Sequence, residues 1–172
     1  MTISNKLTFL RVFMIPAFML ALEAGLSLTA AVLFLLASFT DFLDGYLARK
    51  RNEITTLGKF MDPLADKLLT MAAFVYLTVG GLIPAWAVVV ILARETMVTG
   101  LRVIAAEKGI VIAASSWGKL KTLTQMVSLT MLLLGPVWPV LHLPGLILFY
   151  VSLAAAVFSG WDYLKGGLPL LK

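Results

Sequence analysis

The chain has 172 residues, 60% of them apolar and 13% charged, with a net charge of +5, one histidine and no cysteine. That length leaves room for one domain, residues 1–172, and the apolar content lies outside the range of soluble domains. A thiolate metal site and a disulfide framework are excluded, and nucleic acid is a poor partner because no soluble basic domain or aromatic-interleaved basic patch is present.

In chain order, the apolar runs divide at turn and charge signals into six helices. They are read as Leu7–Ala24, Leu28–Ala48, Pro63–Val79, Pro84–Ala106, Gly118–Leu134 and Gly145–Tyr163. Breakers separate them at Gly25, at Gly80-Gly81 with Pro84, at Gly109, at Gly135-Pro136 with Pro139, and at Pro144. Pro63 and Pro84 are placed in first turns, where a missing N–H costs nothing. Lys6 and Arg11 before an apolar run imitate a signal peptide, but five further spans favour a first transmembrane helix. The expectation is an all-α polytopic membrane protein with six spans.

Charge sets the orientation. The connections near residues 25, 81 and 140 contain no Lys or Arg, and all 14 basic residues fall toward the opposite helix ends. The positive-inside rule therefore puts both termini in the cytoplasm and gives the inner face its basic character. Anionic headgroups and phosphorylated substrates are the partners such a face suits. Trp86, Trp138 and Trp161 lie near helix ends and read as interface anchors. His142 falls in an outer connection, and Glu23 and Asp162 lie at span ends, so none of the three needs a function.

Four carboxylates are harder to dismiss. Asp41, Asp44, Asp62 and Asp66 lie beside apolar stretches, and each costs roughly 2.5–3.5 kcal/mol at the centre of a membrane helix. Asp41, Asp44, Gly45 and Ala48 are spaced to share one helical face at the inner end of the second helix; Gly58, Asp62 and Asp66 share another at the start of the third. A short connection lets the two faces meet. All-oxygen ligation suits Mg²⁺ or Mn²⁺, and four carboxylates at close range are enough for a two-metal site of the kind used in phosphoryl displacement. Small residues beside them admit a bulky ligand, and Arg49 is placed to meet a phosphate bidentately. Simple juxtamembrane pairing with Arg49, Lys59 and Lys67 leaves the shared register unexplained.

The pattern D-x2-D-G-x2-A-R-x8-G-x3-D-x3-D, running from Asp41 to Asp66, resembles the signature of the CDP-alcohol phosphatidyltransferases and matches it at every motif position. Six helices with cytoplasmic termini also fit that family. The resemblance implies Asp41, Asp44 and Asp62 as metal ligands, with Asp66 as general base that also touches metal. It implies Gly45, Ala48, Arg49 and Gly58 along the CDP moiety, with Asn5 and Thr8 holding the cytidine end. It further implies transfer of a phosphatidyl group from a CDP-linked lipid to an alcohol with release of CMP, a homodimer, and a bacterial cell membrane with the active site facing the cytoplasm.

The acceptor must be chosen by other residues. Arg94, Glu95 and Arg102 put charge deep in the fourth helix. Glu95 and Arg102, seven apart, are expected to pair as a structural ion pair, while Arg94 points roughly 100° away and needs a different partner. Lys119 and Lys121 open the fifth helix, where a helix N-terminus with Ser115 and Ser116 suits phosphate. Arg94, Arg102, Lys119 and Lys121 together suggest an acceptor that already carries a phosphate. These segments, with the opening around Asn5, Thr8 and Arg11, resemble the bacterial branch of the family that joins CDP-diacylglycerol to sn-glycerol 3-phosphate. Inositol phosphate is the nearest alternative acceptor. A divalent-cation transporter is the alternative of another class, but the outer halves carry only Glu23 and His142 and show no ion path.

Overall fold

The computed structural model describes the backbone of residues 3–51, 56–110 and 115–167, with side chains over 10–40, 67–110 and 115–167. Among them are six α-helices, one 3₁₀ turn at Pro139–Leu141, and no strand. The helices are α1 (Ile3–Glu23), α2 (Ser27–Arg51), α3 (Thr56–Val79), α4 (Ala85–Glu107), α5 (Ser116–Leu134) and α6 (His142–Gly167).

The all-α expectation holds, and most helices outrun the apolar stretches that predicted them. The largest difference is α3, which starts at Thr56 rather than Pro63, so Pro63 stands well inside the helix and not in its first turn. A proline has no N–H to donate to the carbonyl four residues back, yet the helix continues on both sides of it. Pro84 is the N-cap of α4 in an extended conformation rather than its first helical residue. The physical reason for the general mismatch is simple: hydrophobic periodicity marks where a helix meets an apolar neighbour, while backbone hydrogen bonding continues into polar ends.

The turn glycines do what the sequence asks. Gly25 and Gly109 have φ of 70° and 72°, the left-handed conformation that a side chain disfavours. After α1, Gly25 N–H donates to Leu22 C=O and Leu26 N–H to Ala21 C=O; Gly109 and Ile110 repeat the pattern on Ala106 and Ala105 after α4. Both are Schellman caps, which satisfy the last carbonyls of a helix.

The chain forms two units, one of residues 1–80 with 133–139 and one of residues 81–132 with 140–172. In the first, α1 packs on α2 and α3, and α2 packs on α3. Phe18, Leu22, Phe34, Ala37, Leu69, Ala73 and Leu77 fill its core, with the Phe18 and Phe34 rings 5.9 Å apart. Ala30, Ala31, Ala37 and Ala73 are all fully buried, the small-residue packing that lets membrane helices approach closely. Arg11 lies on the same face of α1 as Phe18 and Leu22 and is fully buried. In the second unit α4 packs on α6. Leu132 on α5 meets Gly145 on α6, where a Cβ would stand 3.1 Å from its side chain, and Ser128 Oγ donates to Gly145 C=O at 2.8 Å.

The outside is apolar as well. Phe13, Val79, Val140, Leu20 and Leu143 are each more than half exposed, as are Trp86 and Trp161. Among the described residues one helical stretch, Pro139–Gly167, is long and apolar enough to cross a membrane; Ser27–Thr40 and Lys67–Val79 are shorter apolar helical stretches.

Candidate functional site

Two groups of candidate residues were expected, and the structure treats them differently. The aspartate group falls on helical backbone throughout: Asp41, Asp44, Gly45, Ala48 and Arg49 in the last three turns of α2, and Gly58, Asp62 and Asp66 in the first three of α3. The one-face spacing arguments need helices at both places, and both places are helical. Their side chains, with those of Asn5 and Thr8 on α1, lie outside the described residues.

The basic group in the second unit lies among the residues whose side chains are described. Glu95 on α4 is its hub. Its Oε1 accepts from Arg94 Nη1 at 2.8 Å and from Lys121 Nζ on α5 in a short ion pair. Arg94 Nε donates to Ser159 Oγ on α6 at 3.0 Å. The arginine stem runs through a slot between two glycines: a Cβ on Gly160 would stand 3.2 Å from its Cγ, and one on Gly118 would stand 3.3 Å from its Nη2. Three helices thus converge on one guanidinium, and glycine at both flanks is what admits it.

Tyr163 on α6 extends the cluster. Its ring lies 5.5 Å from Arg94 Cζ and 5.4 Å from Arg102 Cζ. Its phenol oxygen accepts from Arg102 Nη2 at 2.7 Å and from the Ser115 backbone N–H at 3.2 Å. Ser115 is the N-cap of α5, its Oγ accepting from Gly118 N–H at 3.0 Å. Cations from α4 and α5 and the open end of α5 therefore meet around one tyrosine and one glutamate, an arrangement suited to an anion of more than one charge.

Two expectations need correction. Glu95 does not pair with Arg102; it pairs with Arg94 and Lys121. The helical wheel tracks Cβ positions, and a long arginine curls back to its neighbour's carboxylate, while Arg102 reaches Tyr163 instead. Lys119 and Lys121 also part company. Lys121 is 4% exposed, whereas Lys119 is exposed and its ammonium has no hydrogen bond or ion pair among the described residues. Residues two apart on a helix face different ways.

Sequence reasoning missed Tyr163 and Ser159, both on α6. Tyr163 was read as a span end and Ser159 not at all. A serine and a tyrosine four apart near the end of an apolar helix were the available signal. It also missed the buried polar face of α5, where Lys121, Thr124, Gln125 and Ser128 follow one another at helical spacing.

A family model described as CDP-alcohol phosphatidyltransferase matches residues 1–161. The chain is 42% identical to a CDP-diacylglycerol–glycerol-3-phosphate 3-phosphatidyltransferase of Bacillus subtilis, covering 98% of this chain and 96% of the relative. Relatives of the same name from Rickettsia felis and Haemophilus influenzae are each 38% identical, covering 94% and 92% of this chain and 92% and 89% of themselves.

Proposed function

The chain belongs to the CDP-alcohol phosphatidyltransferase family, and on that premise we propose that it makes phosphatidylglycerophosphate. The enzyme transfers the phosphatidyl group from CDP-diacylglycerol to sn-glycerol 3-phosphate and releases CMP. The observation that carries this reading is near-full-length identity, 42% over 98% of the chain, to a relative named for that reaction. The basic cluster of the second unit supports it, because a phosphorylated acceptor needs cations of the kind gathered around Glu95 and Tyr163.

In the reaction an acceptor hydroxyl oxygen forms a new bond to the phosphatidyl phosphorus, and the bond from that phosphorus to the CMP oxygen breaks. Asp66 takes the hydroxyl proton as general base. Arg49, with Gly45, Ala48 and Gly58 leaving room, holds the CDP diphosphate, and Asn5 and Thr8 hold the cytidine. Arg94, Arg102 and Lys121 orient the acceptor through its phosphate, with Lys119 at the rim. Asp41, Asp44, Asp62 and Asp66 offer an all-oxygen donor set, two carboxylates from each of two helices packed in one unit, which fits Mg²⁺ or Mn²⁺. Such metals, when bound, neutralise charge on the diphosphate and on the leaving CMP.

We place all six helices in the bilayer of the bacterial cell membrane, with residues 1–172 as one catalytic domain, both termini and the active site on the cytoplasmic side, and a homodimer as the assembly. The exposed apolar side chains and the absence of Lys and Arg from the connections near residues 25, 81 and 140 support the membrane reading.

An assay of CMP release by the purified protein across a panel of acceptors tests the proposal. Glycerol 3-phosphate is expected to give the highest kcat/KM. Equal or faster turnover with inositol phosphate or serine would overturn the acceptor assignment while leaving the reaction class in place.

A further inference from the structure

Two kinds of partner hold the cations of the second unit, and they differ in what they leave behind. Glu95 is a carboxylate, so it cancels one positive charge of the Arg94–Lys121 pair. Tyr163 is neutral. Its ring attracts a guanidinium through the π quadrupole and its oxygen through a lone pair, so both fix the cation without cancelling it. At Tyr163 the charge of Arg102 is held in place rather than cancelled. A phosphomonoester carries about −1.5 to −2 at neutral pH, and an uncancelled guanidinium suits it.

Tyr163 touches both guanidinium groups and the start of α5. Its ring stands 5.5 Å from Arg94 Cζ and 5.4 Å from Arg102 Cζ, and its oxygen joins Arg102 to the Ser115 N–H, the residue that caps α5. It is 5% exposed, so the ring is fixed by packing before any ligand arrives. Arg102 itself is exposed, and its hydrogen bond to the phenol at 2.7 Å gives its guanidinium a defined place. An arginine loses rotamer freedom when it grips an anion, and prior fixation removes that cost.

We propose that Tyr163 is the positioning residue of the acceptor site, holding Arg94 and Arg102 charged and oriented beside the capped start of α5 to receive a phosphomonoester. The proposal rests on the reading that the acceptor arrives phosphorylated. Tyr163 touches no reacting atom; it acts through the two guanidinium groups.

The test is steady-state kinetics on full-length Tyr163→Phe and Tyr163→Leu, with inorganic phosphate as a competitor. Tyr163→Phe keeps the ring and loses the hydrogen bonds, and a rise in acceptor KM of about five-fold is expected. Tyr163→Leu loses both, and about thirty-fold is expected, with the Ki of inorganic phosphate rising in step. The KM for CDP-diacylglycerol and the kcat at saturating acceptor should stay within about three-fold of wild type, because the reacting groups are elsewhere. An unchanged acceptor KM in Tyr163→Phe and Tyr163→Leu would overturn the proposal. So would a parallel loss of kcat and of affinity for both substrates, the mark of a merely structural tyrosine. If Tyr163→Leu fails to fold, Tyr163→Phe and its phosphate Ki decide the matter alone. Failure of the acceptor reading looks different: the wild-type enzyme would then prefer an unphosphorylated alcohol and would be insensitive to inorganic phosphate.

Discussion

Lys121 on α5 donates to Glu95 on α4 through the same oxygen, Oε1, that accepts from Arg94. One carboxylate oxygen therefore joins two helices and spaces two cations that would otherwise repel. The side chains of Arg94 and Lys121 are 11% and 5% exposed, so water screens them little.

Glu95→Gln should destabilise the protein. Removing one partner of a buried ion pair costs about 3–5 kcal/mol, and the 27% exposure of Glu95 reduces that to about 1–3 kcal/mol. A drop in detergent-solubilised melting temperature is the readout. The double variant Glu95→Gln, Lys121→Met removes a cation together with its partner and should recover part of the loss. No recovery would mean that the carboxylate stabilises the fold by some other contact.

The two lysines of α5 should separate in kinetics. Lys121→Met is expected to raise the acceptor KM at least about ten-fold, equivalent to 1.4 kcal/mol, because a buried charge faces the cluster. Lys119→Met, on an exposed face, should stay within about three-fold. Equal effects would contradict the assignment of Lys121 alone to the interior of the site.

Gly160 offers a steric test. Alanine there gains about 1 kcal/mol of helix propensity, but its Cβ meets Arg94 Cγ at 3.2 Å while Arg94 is held at Glu95 and Ser159, so no net gain in stability is expected. Valine adds two methyl groups in the same slot and should push Arg94 off Ser159. The acceptor KM should then rise with little change in the KM for CDP-diacylglycerol. A Gly160→Val enzyme with normal acceptor kinetics would show that the Arg94 position is not what matters.

Asp66→Asn should lower turnover by about 10²–10⁴-fold, the usual worth of a general base, while the protein stays folded by melting temperature. Chelation of divalent cations should abolish CMP release from the wild type, and added Mg²⁺ or Mn²⁺ should restore it. Substantial turnover by the Asn variant would remove Asp66 from the base role.

How much of this was legible in the sequence depends on the kind of signal. Helix identity was, because long apolar runs bounded by Gly25, Gly81 and Gly109 leave few alternatives, and all three adopt the left-handed conformation. Helix ends were not: Leu57, Phe60 and Met61 already follow helical spacing, but Gly58, Lys59, Asp62 and Pro63 among them read as a break rather than as the opening turns of α3. That Arg94 needs a partner was legible from the cost of charge in an apolar helix, and Lys121 stood out as a cation near the start of α5. Their partners were not: wheel geometry sees only one helix, and Ser159 and Tyr163 arrive from another, more than 60 residues along the chain from Arg94.

The burial of Arg11 has a consequence for the stability of α1. This guanidinium sits on the packed face of α1, in line with Phe18 and Leu22, and that face is closed by α2 and α3. Without those helices, α1 would hold that charge against lipid, at a cost of up to roughly 2.5–3.5 kcal/mol. Packing against α2 and α3 removes that penalty, so the stability of the first helix in a membrane is tied to its two neighbours.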